Sequence, residues 1–281
     1  MDGQAPQATF ARVSPRTRVY AVVAAACVAA AGAVVGITAA THHTPPPPPP
    51  PRGAPPFVRD ATAPASLVRE VRAAIRAWPN GTLGRLRSLA AANPRSAFVR
   101  VHLGLAYYST RQDAAAVAAW RRAEHTDPDT PSAVAAQTLL HPDLPPGLPF
   151  FVPEEHVDPR AAPLLQRGIA FQREGRPVSA ERAFAAAARA APADPQALVA
   201  AAVGRYTKDE PERAFSRLGP LVARFPHSQS VRFHLGLLSI YIRDFGQARK
   251  ELRLAREEGP GTRLGREAQT LLASLVSTGT S

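Results

Sequence analysis

Cysteine is nearly missing from this chain. One residue, Cys27, stands among 281, and a single thiol excludes an internal disulfide framework and a thiolate metal cage. Aromatic residues make up only 6% of the chain, alanine is abundant, and no stretch alternates Val, Ile or Thr with polar residues. Helix is therefore favoured over sheet, and an all-α fold is expected. No glycine-rich phosphate loop follows a strand, and no Ser, His and Asp set has a local signature. Catalysis has no visible carrier, so no enzyme activity, catalytic residue or cofactor is expected. The histidines offer no recognised ligand spacing, His42-His43 being the one adjacent pair, and no metal site is expected.

Lysine is also scarce. It occurs only at Lys208 and Lys250, so the formal net charge of +12 rests almost wholly on arginine. Arg121-Arg122 and the group Arg249, Lys250, Arg253 and Arg256 are the densest clusters, but Glu251, Glu257 and Glu258 interleave with the second. Arginine spread over nearly every helix and mixed with glutamate reads as a solvated surface, and no nucleic-acid partner is expected.

What is present begins with an uncharged run. Residues 1–18 are polar and carry Arg12, Arg16 and Arg18; no charge follows until well past residue 41. At ~1.5 Å per residue, 19–41 is long enough to cross a hydrocarbon core of roughly 30 Å. The arginines before it place 1–18 in the cytoplasm and the rest of the chain outside, as a single-pass cell-membrane protein. A cleaved signal peptide ending near Thr38-Ala39-Ala40 and a lipoprotein reading through Cys27 compete, but the apolar run is longer than either requires. Gly32 and Gly36 form a small-xxx-small pair through which two anchors can self-associate weakly. Seven consecutive prolines at 45–51 then mark 42–63 as a Pro-rich linker, extended as polyproline II.

Three later stretches, 97–128, 161–192 and 229–260, superimpose without a gap. Counting from Gly104, Gly168 and Gly236, the residue twelve on is Ala116, Ala180 and Ala248. Sixteen on stands Trp120, Phe184 and Leu252; nineteen on, Ala123, Ala187 and Ala255; twenty-four on, Pro128, Pro192 and Pro260. The first and third copies share a spelling, Val99-Arg100-Val101-His102-Leu103-Gly104-Leu105 against Val231-Arg232-Phe233-His234-Leu235-Gly236-Leu237. Small residues facing large ones let two helices approach closely, and the closing proline ends the second helix. Such hairpins bury their apolar faces only by stacking.

This frame resembles the tetratricopeptide repeat. Leu103, Gly104, Tyr107, Ala116, Trp120, Ala123 and Pro128 fall on that family's signature positions, whereas Arg167 and Ser239 depart from it in the later copies. The resemblance implies a helical-hairpin solenoid over 64–276. Residues 64–96 read as a degenerate first hairpin and 195–226 as a further copy whose Gly219-Pro220 should distort its second helix. Residues 132–140 read as one short helix, 262–276 as a closing amphipathic helix, and 277–281 as a fraying tail. The insertion loop 141–160 holds six prolines but also Leu144, Leu148, Phe150, Phe151 and Val152, too apolar for a free tether. Either it packs on the array and seals a gap, or it occupies or gates the binding groove.

In proteins that the chain resembles, the first helix of each repeat lines a concave groove. The matching positions are Phe98, Val101, Leu105, Tyr108, Leu165, Ile169, Val203, Tyr206, Phe233, Leu237 and Tyr241. His102 and His234 occupy equivalent positions and read as packing or groove residues. The expectation is a membrane-anchored scaffold that binds an apolar protein or peptide segment, in layout similar to anchored repeat subunits of cell-envelope complexes. An extracytoplasmic holdase for unfolded secreted chains is the alternative.

Overall fold

Every described element is a helix, and several begin at a side-chain cap that the sequence supplies. The computed structural model describes residues 52–277. The expected cytoplasmic tail 1–18, the expected anchor 19–41 with its Gly32/Gly36 pair, the expected linker up to residue 51 and the tail 278–281 lie outside the described residues. Among the described residues no helix is long and apolar enough to cross a membrane.

Twelve helices and no strand are described. They are α1 (Ala65–Arg76), α2 (Thr82–Ala92), α3 (Ala97–Ser109), α4 (Asp113–Thr126), α5 (Pro131–Leu140) and α6 (Ala162–Arg173). There follow α7 (Pro177–Ala190), α8 (Pro195–Val203), α9 (Glu212–Arg224), α10 (Gln229–Tyr241), α11 (Phe245–Glu258) and α12 (Arg263–Ser277). Ser96 and Ser228 cap α3 and α10 by accepting from the amides of Val99 and Val231, satisfying donors that a helix start otherwise leaves open. Thr130, Asp194 and Asp244 do the same for α5, α8 and α11. Helix α9 continues through Pro220, where a distortion was expected.

Consecutive helices pack in pairs, α1 with α2, α3 with α4, α6 with α7, α8 with α9 and α10 with α11. Each pair also rests on the next helix, an arrangement consistent with a helical repeat. The glycine frame explains why the pairs close so tightly. A Cβ built on Gly104 would lie 2.3 Å from the Trp120 ring, one on Gly168 2.2 Å from Phe184, and one on Gly236 2.8 Å from Leu252. Ala116, Ala180, Ala248, Ala123, Ala187 and Ala255 are all buried, so the small residues on both helices face the interior, as the sequence frame requires. The turn between the two helices of a pair also repeats. Arg111, Gly175 and Arg243, each seven residues after the frame's glycine, all have positive φ, 61°, 72° and 62°, a conformation that costs an arginine roughly 1 kcal/mol and a glycine almost nothing.

The packing is continuous from α1 to α5 and again from α6 to α12, and it breaks between α5 and α6. Polar contacts bridge the break. Asp129, before α5, accepts from the Ser179 amide at 2.8 Å and pairs with Arg176 at 3.3 Å, while Pro131 packs over Gly175. His141 meets Asp209 at 2.7 Å. The Glu124 carboxyl of α4 is pushed above its ordinary range by burial first and then by the neighbouring Asp209 charge.

The extent of the linker needs correction. Residues 52–63 are not a free stalk: Pro55 and Asp60 are buried, and Phe57 packs between Arg72 and the rings of Phe98 and His102. Prolines forbid a helix there, but Phe57 and Val58 carry apolar surface that the array covers. Packing against the array is therefore already present in the first described residues.

Replacing Gly104 by alanine should destabilise the array by about 1–3 kcal/mol, because the indole cannot retreat. Gly84→Ala in α2, where an added methyl meets nothing within 4 Å, should instead stabilise by about 0.5–1 kcal/mol. Urea unfolding of both variants checks the contrast, and an equal effect of the two substitutions would contradict the close-approach argument.

Candidate functional site

A proline-rich segment cannot satisfy its backbone within itself, so wherever it crosses a helical array the array's side chains must supply the partners. Two such segments cross this one, the first over 52–60 and the second over 143–156.

The second segment lies over the first helices of the later hairpins. Gln172 of α6 accepts from the Phe151 amide at 3.1 Å and donates to the Pro149 carbonyl at 3.4 Å. Gln196 of α8 accepts from the Glu154 amide at 2.8 Å and donates to the His156 carbonyl. On α10, His234 Nε2 accepts from the Val152 amide at 2.9 Å and the Tyr241 hydroxyl donates to the Leu148 carbonyl at 3.1 Å. Lys208 donates to the Pro145 carbonyl. Phe151 is 3% exposed and stacks on His234 at 5.1 Å, with its edge toward Phe184, whereas Phe150 is 51% exposed. Of the two phenylalanines in the loop, one therefore packs on the array and the other meets solvent.

The first segment repeats this arrangement on α3. The Val58 amide donates to His102 Nε2 at 3.0 Å, and Phe57 lies over the same imidazole at 5.1 Å. In each case the Phe joins the core that precedes the histidine helix, and the Val the core that follows it. Two residues on, a carboxylate meets a helix start. Asp60 accepts from the Ser132 amide and hydroxyl at the head of α5, and Glu154 accepts from the Ser230 amide at the head of α10. Both segments run from the C-terminal end of their helix toward its N-terminal end: Arg52 donates its amide to Ser109 at 2.8 Å, and Leu148 meets Tyr241.

Both imidazoles are fixed in one tautomer. Each Nδ1 faces a carbonyl four residues back, Phe98 or Ser230, at 2.7 Å. A carbonyl only accepts and an amide only donates, so Nδ1 carries the proton and Nε2 offers its lone pair. Burial holds both rings neutral, each with its pKa lowered to about 4. Protonation would set one donor against another at Nε2.

The eleven groove positions distribute unevenly over this site. Phe98, Val101, Leu105, Leu165, Val203, Tyr206 and Phe233 are buried, Ile169, Leu237 and Tyr241 are half-buried, and Tyr108 is exposed, with the Arg52 guanidinium 4.0 Å above its ring. Phe98 contacts the first segment, Tyr241 anchors the second, and Tyr206 donates to the Tyr241 carbonyl at 3.1 Å. Val203 and Tyr206 also line a cleft of about 120 Å³ at the break between α5 and α6, with Val134, Leu148, Phe150 and Ala180 around it. Sequence reasoning did not include Gln172, Gln196, Ser132, Ser230 or Asp60. The available signal was the pair Phe57-Val58 and Phe151-Val152, each followed two residues on by an acid, beside two histidines in one repeat frame. Among the described residues, no group of three or more His, Cys, Asp or Glu side chains could hold a metal ion.

Comparison with protein-family models and with curated proteins gave no match.

Acidification should loosen both segments. Above about pH 6.5 each histidine is neutral folded and unfolded, and contributes nothing to pH dependence. As pH falls from there to about 4, the unfolded chain takes up a proton that the folded one cannot, so stability is lost, by roughly 3 kcal/mol per histidine at the lower limit. Glu154, raised by burial, acts in the opposite sense, so the comparison is made against variants. His102→Gln and His234→Gln should flatten the unfolding free energy between pH 6.5 and 4. A profile unchanged in the double variant would remove the histidines as its cause.

Proposed function

We propose that the chain is a tetratricopeptide-type scaffold, held at a membrane by 19–41, whose repeat face binds an extended segment of a protein partner. The observation that carries this reading is the seating of two proline-rich segments on the first helices of the hairpins. There, side chains at repeat positions bond an extended backbone and cover its apolar residues. A surface that does this for its own chain has the groups needed to do it for another. The repeat frame of Gly104, Gly168 and Gly236 supports the family assignment, and the uncharged run after Arg12, Arg16 and Arg18 supports the anchor.

Selective binding is favoured over the holdase alternative. A holdase needs open apolar area, whereas seven of the eleven groove positions are buried here, and the backbone bonds of the site are directional. Apolar surface that remains open is concentrated at Tyr108, Phe150 and Ile242, which are 44%, 51% and 37% exposed. Phe150 borders the cleft at the break in the array. A partner that straddles the break would bury it.

A photoreactive residue placed at Tyr108 or Phe150 in living cells tests the proposal. One dominant protein adduct is the expected result. A smear of many clients would transfer the reading to the holdase, and no adduct from either position would overturn partner binding at this face.

A further inference from the structure

The two segments that cross the array are unrelated in position and length, yet they are held alike. In Pro56-Phe57-Val58-Arg59-Asp60 and Phe150-Phe151-Val152-Pro153-Glu154 the aromatic residue, the valine and the acid fall in the same order and spacing. Each of these three has a fixed partner: the ring on an imidazole, the valine amide on Nε2, the carboxylate on the amide of a serine that opens a helix. The intervening residue is Arg59 in one case, exposed, and Pro153 in the other, so its side chain is not read. The residue before the aromatic is Pro56 or Phe150, both exposed, and it is not read either. The seats differ in where the acid lands, since Asp60 reaches α5, the second helix after the histidine helix, and Glu154 reaches the start of the histidine helix itself; only the second seat adds glutamines, on the amides of Phe151 and Glu154.

Two independent segments selected by equivalent seats define a recognition rule. The geometry points to His102 and His234 as the centres of two linear-motif sites for an extended segment of another protein that carries an aromatic residue, a valine and, two positions on, a carboxylate. The chain's own 56–60 and 150–154 are the resident competitors. This rests on the partner-binding reading above and gives the partner its chemistry. A segment tethered in the same chain acts at an effective concentration in the millimolar range, so a partner must either bind more tightly than the resident or find it displaced.

The test uses the full chain in mild detergent and a fluorescent peptide of residues 55–62, read by anisotropy. Val58→Pro deletes the resident amide that His102 accepts, and Phe57→Ala deletes the resident ring; each should leave the seat intact and empty. The peptide is expected to bind either variant at least tenfold more tightly than the unaltered chain. A peptide N-methylated at its valine, or carrying asparagine for the aspartate, should lose at least tenfold. If both variants are folded by circular dichroism and neither binds more tightly, the rule fails; it fails equally if the N-methylated peptide binds as well as its parent. Unfolding of both variants would make the segment an integral part of the fold and overturn exchange. A partner adduct from Phe150 combined with no peptide binding would leave the scaffold reading standing and remove only this motif.

Discussion

Extended backbone laid across helices has no ladder to join. All the main-chain groups of a helix are used internally except at its ends, so a crossing segment finds partners only among side chains and helix ends. That constraint shapes this protein. Gln172, Gln196, His234, Tyr241 and Lys208 all spend their polar atoms on main-chain groups of 145–156, and His102 does so for Val58. The imidazole suits the position because its two nitrogens carry opposite roles. One satisfies a carbonyl of its own helix and the other receives the segment, and no proton is left without a partner.

Seen through these contacts, the chain contains two assemblies of one kind. Each has a leading extended segment, one or more helical pairs, the pair that begins with the shared Val-Arg-x-His-Leu-Gly-Leu spelling, and a last single helix, α5 or α12. Arg100 and Arg232 donate to the carbonyls of Pro94 and Pro226, six residues back in both cases, and Arg111 and Arg243 hold the same unusual backbone. The break between α5 and α6 is then the seam between the two assemblies. It is held by polar contacts through Asp129 and Asp209, not by a shared apolar interior.

The repeat frame was legible because it is written in local spacing. Glycine, alanine, a large apolar residue and proline at fixed offsets describe how one helix approaches the next, and the hairpins lie within a residue or two of where that spacing puts them. The crossing segments were not legible in the same way. Their partners stand 44 and 82 residues away in sequence, and a proline-rich stretch looks the same whether it is a spacer or a seated peptide. Residues 52–63 were accordingly read as linker, although Phe57 and Asp60 already matched Phe151 and Glu154 as an aromatic followed three residues on by an acid. The groove positions followed from the helical frame, but their burial depends on what lies over them, which spacing within the repeat cannot supply.

In both assemblies the extended segment precedes its seat. Val152 is made 82 residues before His234, which at 5–20 residues per second is roughly 4–16 s of synthesis. Throughout that interval the sequence Phe150-Phe151-Val152 has been translated but its receiving helix has not. Docking of each segment therefore has to wait for the helix that receives it, and a nascent chain stalled before α10 would display Phe151, which the finished protein conceals.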